Sequence, residues 1–153
     1  MLYVGSPMFF YGDEAGMWGA NDPDCRKPMV WPDKTYDAET FNPDQTKHSP
    51  DQVIFDRDLF EWYKKFIGLR QKYNSIRLGS YSTLAIDDEK KLYAFIRKFG
   101  DEEVIVIINR SDKPSSFTHA ALNTKRYKNL LTHQSLGKQI NVNAMDIVVL
   151  GNK

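Results

Sequence analysis

Beyond Gly79 the hydrophobic period of this 153-residue chain drops to two and stays there to the end. A helix cannot use that pattern, because only a strand places alternate residues on one face. The segments Tyr81 to Ile86, Leu92 to Phe99, Val104 to Ile108, Ser116 to His119, Arg126 to Leu131, Lys138 to Val142 and Ile147 to Leu150 are short and rich in β-branched and aromatic residues. Turn signals separate them: Asp87-Asp88, Gly100-Asp101, Ser111-Asp112-Lys113-Pro114, Asn123, Gly137 and Asn143. The spacing predicts an antiparallel β-sandwich of about seven or eight strands. Leu92, Ala94 and Ile96 alternate with Tyr93, Phe95 and Arg97, which predicts a half-buried strand. The unbroken run from Val104 to Ile108 predicts a central one.

Upstream, three patterns follow one another. Met8 to Tyr11 has no alternation, as a strand covered on both faces would, and Gly12 supplies the backbone freedom for a sharp exit into the polar loop that holds Gly19 to Arg26. Residues 32 to about 55 form a Pro- and Asp-rich connection. From Asp58 the period is helical, with Leu59, Tyr63, Phe66 and Arg70 on one ridge and Phe60, Trp62, Ile67, Leu69 and Tyr73 widening it. Asp58 with Glu61 predicts a capping box, and Asn74-Ser75 the stop. So broad an apolar side predicts hard packing against something large. A strand buried on both faces needs neighbours that the chain does not supply, so the pattern predicts a piece of a larger fold.

Charge and cysteine content remove several classes. Lys and Arg (21) almost balance Asp and Glu (20), and the net charge of +1 offers no field for nucleic acid or an anionic membrane. No stretch approaches the length of a membrane span, and the first residues lack the pattern of a signal peptide, which leaves the compartment open. The single Cys25 excludes an intrachain disulfide and is read as a small packed residue. His48, His119 and His133 stand too far apart for metal-ligand spacing, and Asp22-Pro23-Asp24 lacks the rest of a calcium loop, so no metal is expected. The glycines at 12, 16 and 19 do not fit a dinucleotide fingerprint and no Walker sequence occurs, so no cofactor is expected either. Asn109-Arg110-Ser111 fits the glycosylation acceptor pattern, a triplet that chance readily produces.

The motifs themselves carry a resemblance. Gly5 to Glu14 reads Gly-x-Pro-x-apolar-aromatic-Tyr-Gly-Asp-Glu, Gly19 to Trp31 reads Gly-x-Asn-Asp-Pro-Asp-Cys-Arg-x-Pro-Met-x-Trp, and Leu59 to Arg70 reads Leu-Phe-x-x-Tyr-Lys-Lys-x-Ile-x-Leu-Arg. In these the chain resembles the C-terminal part of an α-amylase superfamily glycoside hydrolase, in the neopullulanase, cyclomaltodextrinase and maltogenic amylase branch. The resemblance implies a fold that is mainly β with a helical segment: the last strand, substrate loop and last helix of a truncated (β/α)8 barrel over residues 1–78, then a C-terminal antiparallel β-sandwich over 79–153. It also implies an α-glucan partner, starch, pullulan or cyclodextrin, for the parent enzyme.

Catalysis by this chain alone is not expected. A retaining glycosidase needs two carboxylates about 5 to 5.5 Å apart, and the resemblance places those on earlier barrel strands. Asp13 and Glu14 are adjacent at a predicted strand end and should point apart, bonding neighbouring loops. Vicinal sugar hydroxyls suit a carboxylate beside an Arg fork. Asp22 and Arg26 offer that pair, and by resemblance match positions that hold glucose units; the alternative is an internal salt bridge that shapes the loop. Asp24 is less defined, and Trp18 and Trp31 are either stacking platforms or packed. A stand-alone carbohydrate-binding or structural β-sandwich is the competing reading, with Tyr81, Tyr93 and Tyr127 as its candidate platform. A barrel remnant with three aromatics in its strand would expose apolar surface worth on the order of 10 kcal/mol, which predicts self-association.

Overall fold

The computed structural model describes residues 1–123 and 126–152. Lys153, the end of the predicted sandwich, lies outside the described residues. The period-two region folds as predicted into antiparallel strands: β3 (Ser80–Asp87), β4 (Leu92–Phe99), β5 (Glu102–Asn109), β6 (Ser115–Thr118), β7 (Lys128–Asn129), β8 (Gln139–Val142) and β9 (Asp146–Gly151). Five form one sheet in the order β3-β4-β5-β9-β7, and β6 pairs with β8 in a second. The segment predicted from Arg126 to Leu131 shortens to two residues. Its backbone turns back on itself, with the His133 N–H donating to the Asn129 carbonyl at 2.7 Å and the Leu131 N–H to the Asn129 side chain at 2.9 Å.

The run Val104 to Ile108 is continuous because its sheet is covered on both faces. Ile105 and Ile107 join Leu92, Ala94, Ile96 and Leu150 against Phe117, Ile140 and Val142 of the smaller sheet. Val104 and Val106 face the other way, clustering with Phe95 and Val149 beneath Leu2, Leu69, Tyr73 and Ile76. This second cover corrects the half-buried reading of β4. Phe95 is 2% exposed and Arg97 1%. Arg97 is accommodated because backbone carbonyls take its N–H groups: Nε donates to Ser80 at 3.1 Å, Nη2 to Gly79 at 2.8 Å and Nη1 to Leu2 at 3.3 Å. Burial, and after it the charge of Arg70, lowers the pKa of Arg97 from its ordinary value. Arg70 in turn donates to the carbonyls of Met1 (2.8 Å) and Gly5 (2.5 Å), tying the first residues to the same unit.

Helix α1 (Arg57–Lys72) starts and ends differently from its sequence signals. Its N-terminal amide at Leu59 is capped by Asp56 at 2.9 Å, so Asp56 displaces the predicted Asp58–Glu61 box. Glu61 pairs instead with Lys64 at 2.8 Å. Tyr73 leaves the helix with φ −104° and ψ 116°, and Asn74, read as a stop, opens the short helix α2 (Asn74–Leu78). Of α1 only Leu69 is buried, while Trp62 (41%) and Ile67 (38%) stay exposed, so the predicted hard packing extends to one end of the helix only.

The chain divides into two compact units: Met1–Ser6 with everything from Phe66 onward, and Pro7–Lys65. In the second unit, Met8 to Tyr11 is not a strand in the described structure. A strand exists by its ladder, and none of the described strands pairs with this run. The predicted connection after residue 32 instead holds a hairpin, β1 (Glu39–Phe41) with β2 (Lys47–Asp51). Its turn is closed by Asp44, which accepts from the Thr46 N–H at 3.0 Å and hydroxyl at 2.5 Å. Pro50 within β2 and the short polar run hid it from a search for alternation.

Candidate functional site

The polar loop begins at Gly12, whose φ of 89° lets the chain reverse into a single 3-10 turn over Asp13–Ala15. Asp13 and Glu14 are spent on that reversal. The Asp13 carboxylate accepts from the Phe10 N–H at 3.0 Å and Glu14 from the Gly12 N–H at 3.1 Å, both within their own loop. Ala15, fully buried, passes its carbonyl to the Asp56 N–H at 3.0 Å, which fixes the loop to the start of α1.

A second 3-10 turn, Asp24–Arg26, carries the candidate sugar pair. It can close because Gly19 lies against it: a Cβ there would stand 2.7 Å from the Cys25 Cα and 2.9 Å from the Asp24 carbonyl. The Asp24 carboxylate accepts from the Ala20 N–H at 2.6 Å, closing the other side. That amide first, and the charge of Lys27 after it, hold Asp24 below the usual carboxylate range. Asp22 and Arg26 meet across the turn at 2.5 Å between Oδ1 and Nε, with side chains 60% and 69% exposed. Cys25, read as packed, is exposed, its Sγ 3.8 Å from the same Asp22 oxygen; a three-residue turn has no interior in which to bury it.

The bidentate ion pair of the loop joins two residues that no sequence signal marked, Lys27 and Glu39. Lys27 Nζ lies 2.6 and 2.7 Å from the two carboxylate oxygens of Glu39 on β1 and 3.4 Å from Asp24. Burial pulls the ammonium down, yet the hydrogen bonds and charges of Glu39 and Asp24 outweigh it and raise its pKa. Lys27 was hidden by standing beside Arg26, and Glu39 by lying in a stretch without periodicity. Both line a cleft of about 270 Å³ whose other walls include Met17, Trp18, Pro28 and Tyr36. Trp18 is 42% exposed with the Lys27 ammonium 5.9 Å from its ring centre. Trp31 is 53% exposed and its backbone N–H donates to the Tyr36 hydroxyl at 2.7 Å.

Other sequence candidates resolve separately. Tyr127 is core, its hydroxyl donating to Glu103 at 2.6 Å, while Tyr81 and Tyr93 are half-buried with rings tilted against Phe95. The three do not make a row of open rings. Asn109 of the acceptor triplet is 1% exposed and its amide donates to the carbonyls of Lys113, Val142 and Asn143, so the nitrogen that would carry a glycan is enclosed in the fold. His119 Nδ1 accepts from the Ala121 N–H, and His48 lies 3.5 Å from Asp51. Among the described residues no three His, Cys, Asp or Glu side chains are grouped to hold a metal, and no helix is long and apolar enough to cross a membrane.

Comparison with known proteins locates these features. Residues 81–140 match the family described as maltogenic amylase, C-terminal domain. Neopullulanase 2 of Thermoactinomyces vulgaris is 39% identical over 114 residues, 74% of this chain but 16% of that protein. The chain therefore spans about one sixth of that relative's length. Among solved structures, the maltogenic amylase from S. marinus superposes with a TM-score of 0.71 at 26% identity, covering 99% of this chain and 18% of the other. The cyclic α-maltosyl-(1→6)-maltose hydrolase of Arthrobacter globiformis, solved in complex with that sugar, shares the fold at a TM-score of 0.66 and 22% identity, over 98% of this chain and 27% of that one. The chain belongs to the neopullulanase, cyclomaltodextrinase and maltogenic amylase branch of the α-amylase superfamily, as a C-terminal part of such a protein.

Proposed function

We propose that the chain is part of an α-glucan-hydrolysing enzyme acting on starch, pullulan or cyclodextrin, that residues 1–78 are the end of its catalytic barrel and 79–153 its C-terminal sandwich, and that the chain is not catalytic alone. Asp22 and Arg26 contribute sugar contacts in this reading. The observation that carries it is the exposed Asp22–Arg26 pair, set on a closed turn within the Gly19 to Trp31 motif. A carboxylate accepts from one sugar hydroxyl while a guanidinium donates to its neighbour, and the Nε contact to Asp22 uses one of the five N–H donors of Arg26. The C-terminal ends of barrel strands face the substrate in barrel enzymes, which favours this loop as part of the cleft floor. Asp13 and Glu14 do not supply a catalytic pair, since both carboxylates close their own loop.

Two measurements test the reading. Incubated with starch, pullulan or cyclodextrin, the chain is expected to release no reducing sugar above a boiled control; release abolished by changing a carboxylate within this chain overturns the non-catalytic assignment. In a titration with millimolar maltotriose followed by NMR, the amide signals of Asp22 and Arg26 should move, and Arg26→Ala should suppress the response while the signals of the sheet stay in place. A response unchanged in Arg26→Ala returns the pair to a loop-shaping salt bridge.

A further inference from the structure

The loop that carries Asp22 and Arg26 has no strand or long helix of its own, so something else must hold the pair at sugar-binding geometry. Three ties converge on one residue. Lys27 follows the Asp24–Arg26 turn directly, and its ammonium reaches both oxygens of Glu39 at 2.6 and 2.7 Å, on strand β1 and twelve residues away. The same ammonium lies 3.4 Å from Asp24, whose Oδ2 holds the Ala20 N–H at 2.6 Å. Through the backbone, the Lys27 carbonyl accepts from the Tyr11 hydroxyl at 2.8 Å. Asp22 and Arg26 therefore sit between Ala20 and Lys27, the two points where the loop is tied. The side chains of Lys27 and Glu39 are each 25% exposed, and that of Asp24 19%, whereas Asp22 and Arg26 are 60% and 69% exposed. Desolvated partners with bidentate geometry set position; exposed ones are left for solvent or ligand.

We propose that Lys27, held by Glu39, is the positioning residue of the Asp22–Arg26 sugar contact. This inference rests on the sugar reading of that pair. Lys27 touches no sugar. It keeps the turn closed, so that the carboxylate and guanidinium are presented together and little ordering is left to be done on binding.

The test uses the 153-residue chain with maltotriose as the probe, comparing Arg26→Ala, Lys27→Met and Lys27→Arg. Lys27→Met should lower maltotriose affinity about tenfold, the scale of a misplaced binding group. The indole N–H signal of Trp18, beside the ammonium, should shift with it. Lys27→Arg, which keeps the cation facing both Glu39 and Asp24, should restore affinity, a rescue that a purely space-filling role would not show. If Lys27→Met does not fold, Glu39→Gln removes the same ion pair and carries the same expectation. Loss of affinity in Arg26→Ala but not in Lys27→Met or Glu39→Gln overturns the inference and spares the sugar reading. Unaltered affinity in Arg26→Ala as well, or a wild-type chain whose Asp22 and Arg26 signals do not move, overturns that reading and the inference with it. A loss in Lys27→Met that Lys27→Arg does not restore also overturns it.

Discussion

The two compact units are built on opposite principles. In the unit from Phe66 onward, with Met1–Ser6, the sheet is apolar on both faces and its central strands reach zero exposure at Val104, Ile105, Val106 and Ile107. In Pro7–Lys65 the buried apolar residues are Ala15 and Val30, while Met8, Phe9, Phe10, Tyr11, Trp18, Trp31, Phe41, Ile54 and Trp62 are exposed. What orders this second unit is polar: carboxylates of Asp13, Glu14, Asp24, Asp44 and Asp56 on backbone amides, and the Lys27–Glu39 pair. The Gly19 to Trp31 motif lies where the hydrophobic effect contributes least. The difference teaches that the loop motif and the family-matched sheet of residues 81–140 are ordered by different forces, polar contacts in the one and apolar burial in the other.

The largest effect that would break this contrast comes from trimming. A chain of 66–153 should be more stable than one of 79–153, because the shorter one loses Leu69, Tyr73 and Ile76 from over Val104 and Val106. At about 1.5–3 kcal/mol for each buried side chain, the gap is on the order of 5 kcal/mol, read by urea unfolding. Equal midpoints would show that the sandwich face alone sustains the sheet.

A pair of substitutions sharpens the comparison next. Ile107→Ala, in the centre of the sheet, should cost about 2–5 kcal/mol. Phe10→Ser, 52% exposed, should leave the melting temperature where it was and instead reduce self-association, which sedimentation at micromolar concentration would report. A wild-type chain that is strictly monomeric there removes the association from the account. Tyr127→Phe is expected to cost about 1–3 kcal/mol, since Glu103, 7% exposed and 3.0 Å from Lys98, loses a hydrogen bond at 2.6 Å.

The smallest effect is in the loop. The pKa of Asp24 is depressed in the fold, first by the Ala20 amide and then by Lys27. Its contribution is thus fully present above the ordinary carboxylate pKa of about 3.9 and is lost as pH falls through the lower folded value. Protection of the Ala20 N–H from hydrogen exchange should fall in that acid window while protection in β5 persists. Simultaneous loss of both would mean that the two units open together.

Period and turn chemistry made most of the sheet legible. Leu92 to Phe99 is β4 to the residue, and the turns at Asp87-Asp88 and Gly100-Asp101 fall where their side chains and backbone freedom place them. Fine capping was not legible, because Asp56 and Asp58 offer the same chemistry and only the path of the chain from Ala15 selects the first. The candidate site was legible as residue types. Asp22 and Arg26 stand four apart in a motif, and the turn of Asp24–Arg26 brings them together.

By itself, then, the amino-acid order determined most of the strand alternation after Gly79, the helical stretch read from Asp58 and the family to which the chain belongs, since each is a local pattern or a contiguous motif. Three features were decided only by tertiary structure. Arg97 lies buried because the carbonyls of Leu2, Gly79 and Ser80 converge on it from distant points of the chain. Met8 to Tyr11 has no ladder because strand identity belongs to a pair of segments and not to one. Lys27 meets Glu39 because a hairpin with no periodic signature places its first strand beside the loop. Contacts between residues far apart in sequence depend on the path between them, and no local pattern of charge or hydrophobicity encodes that path.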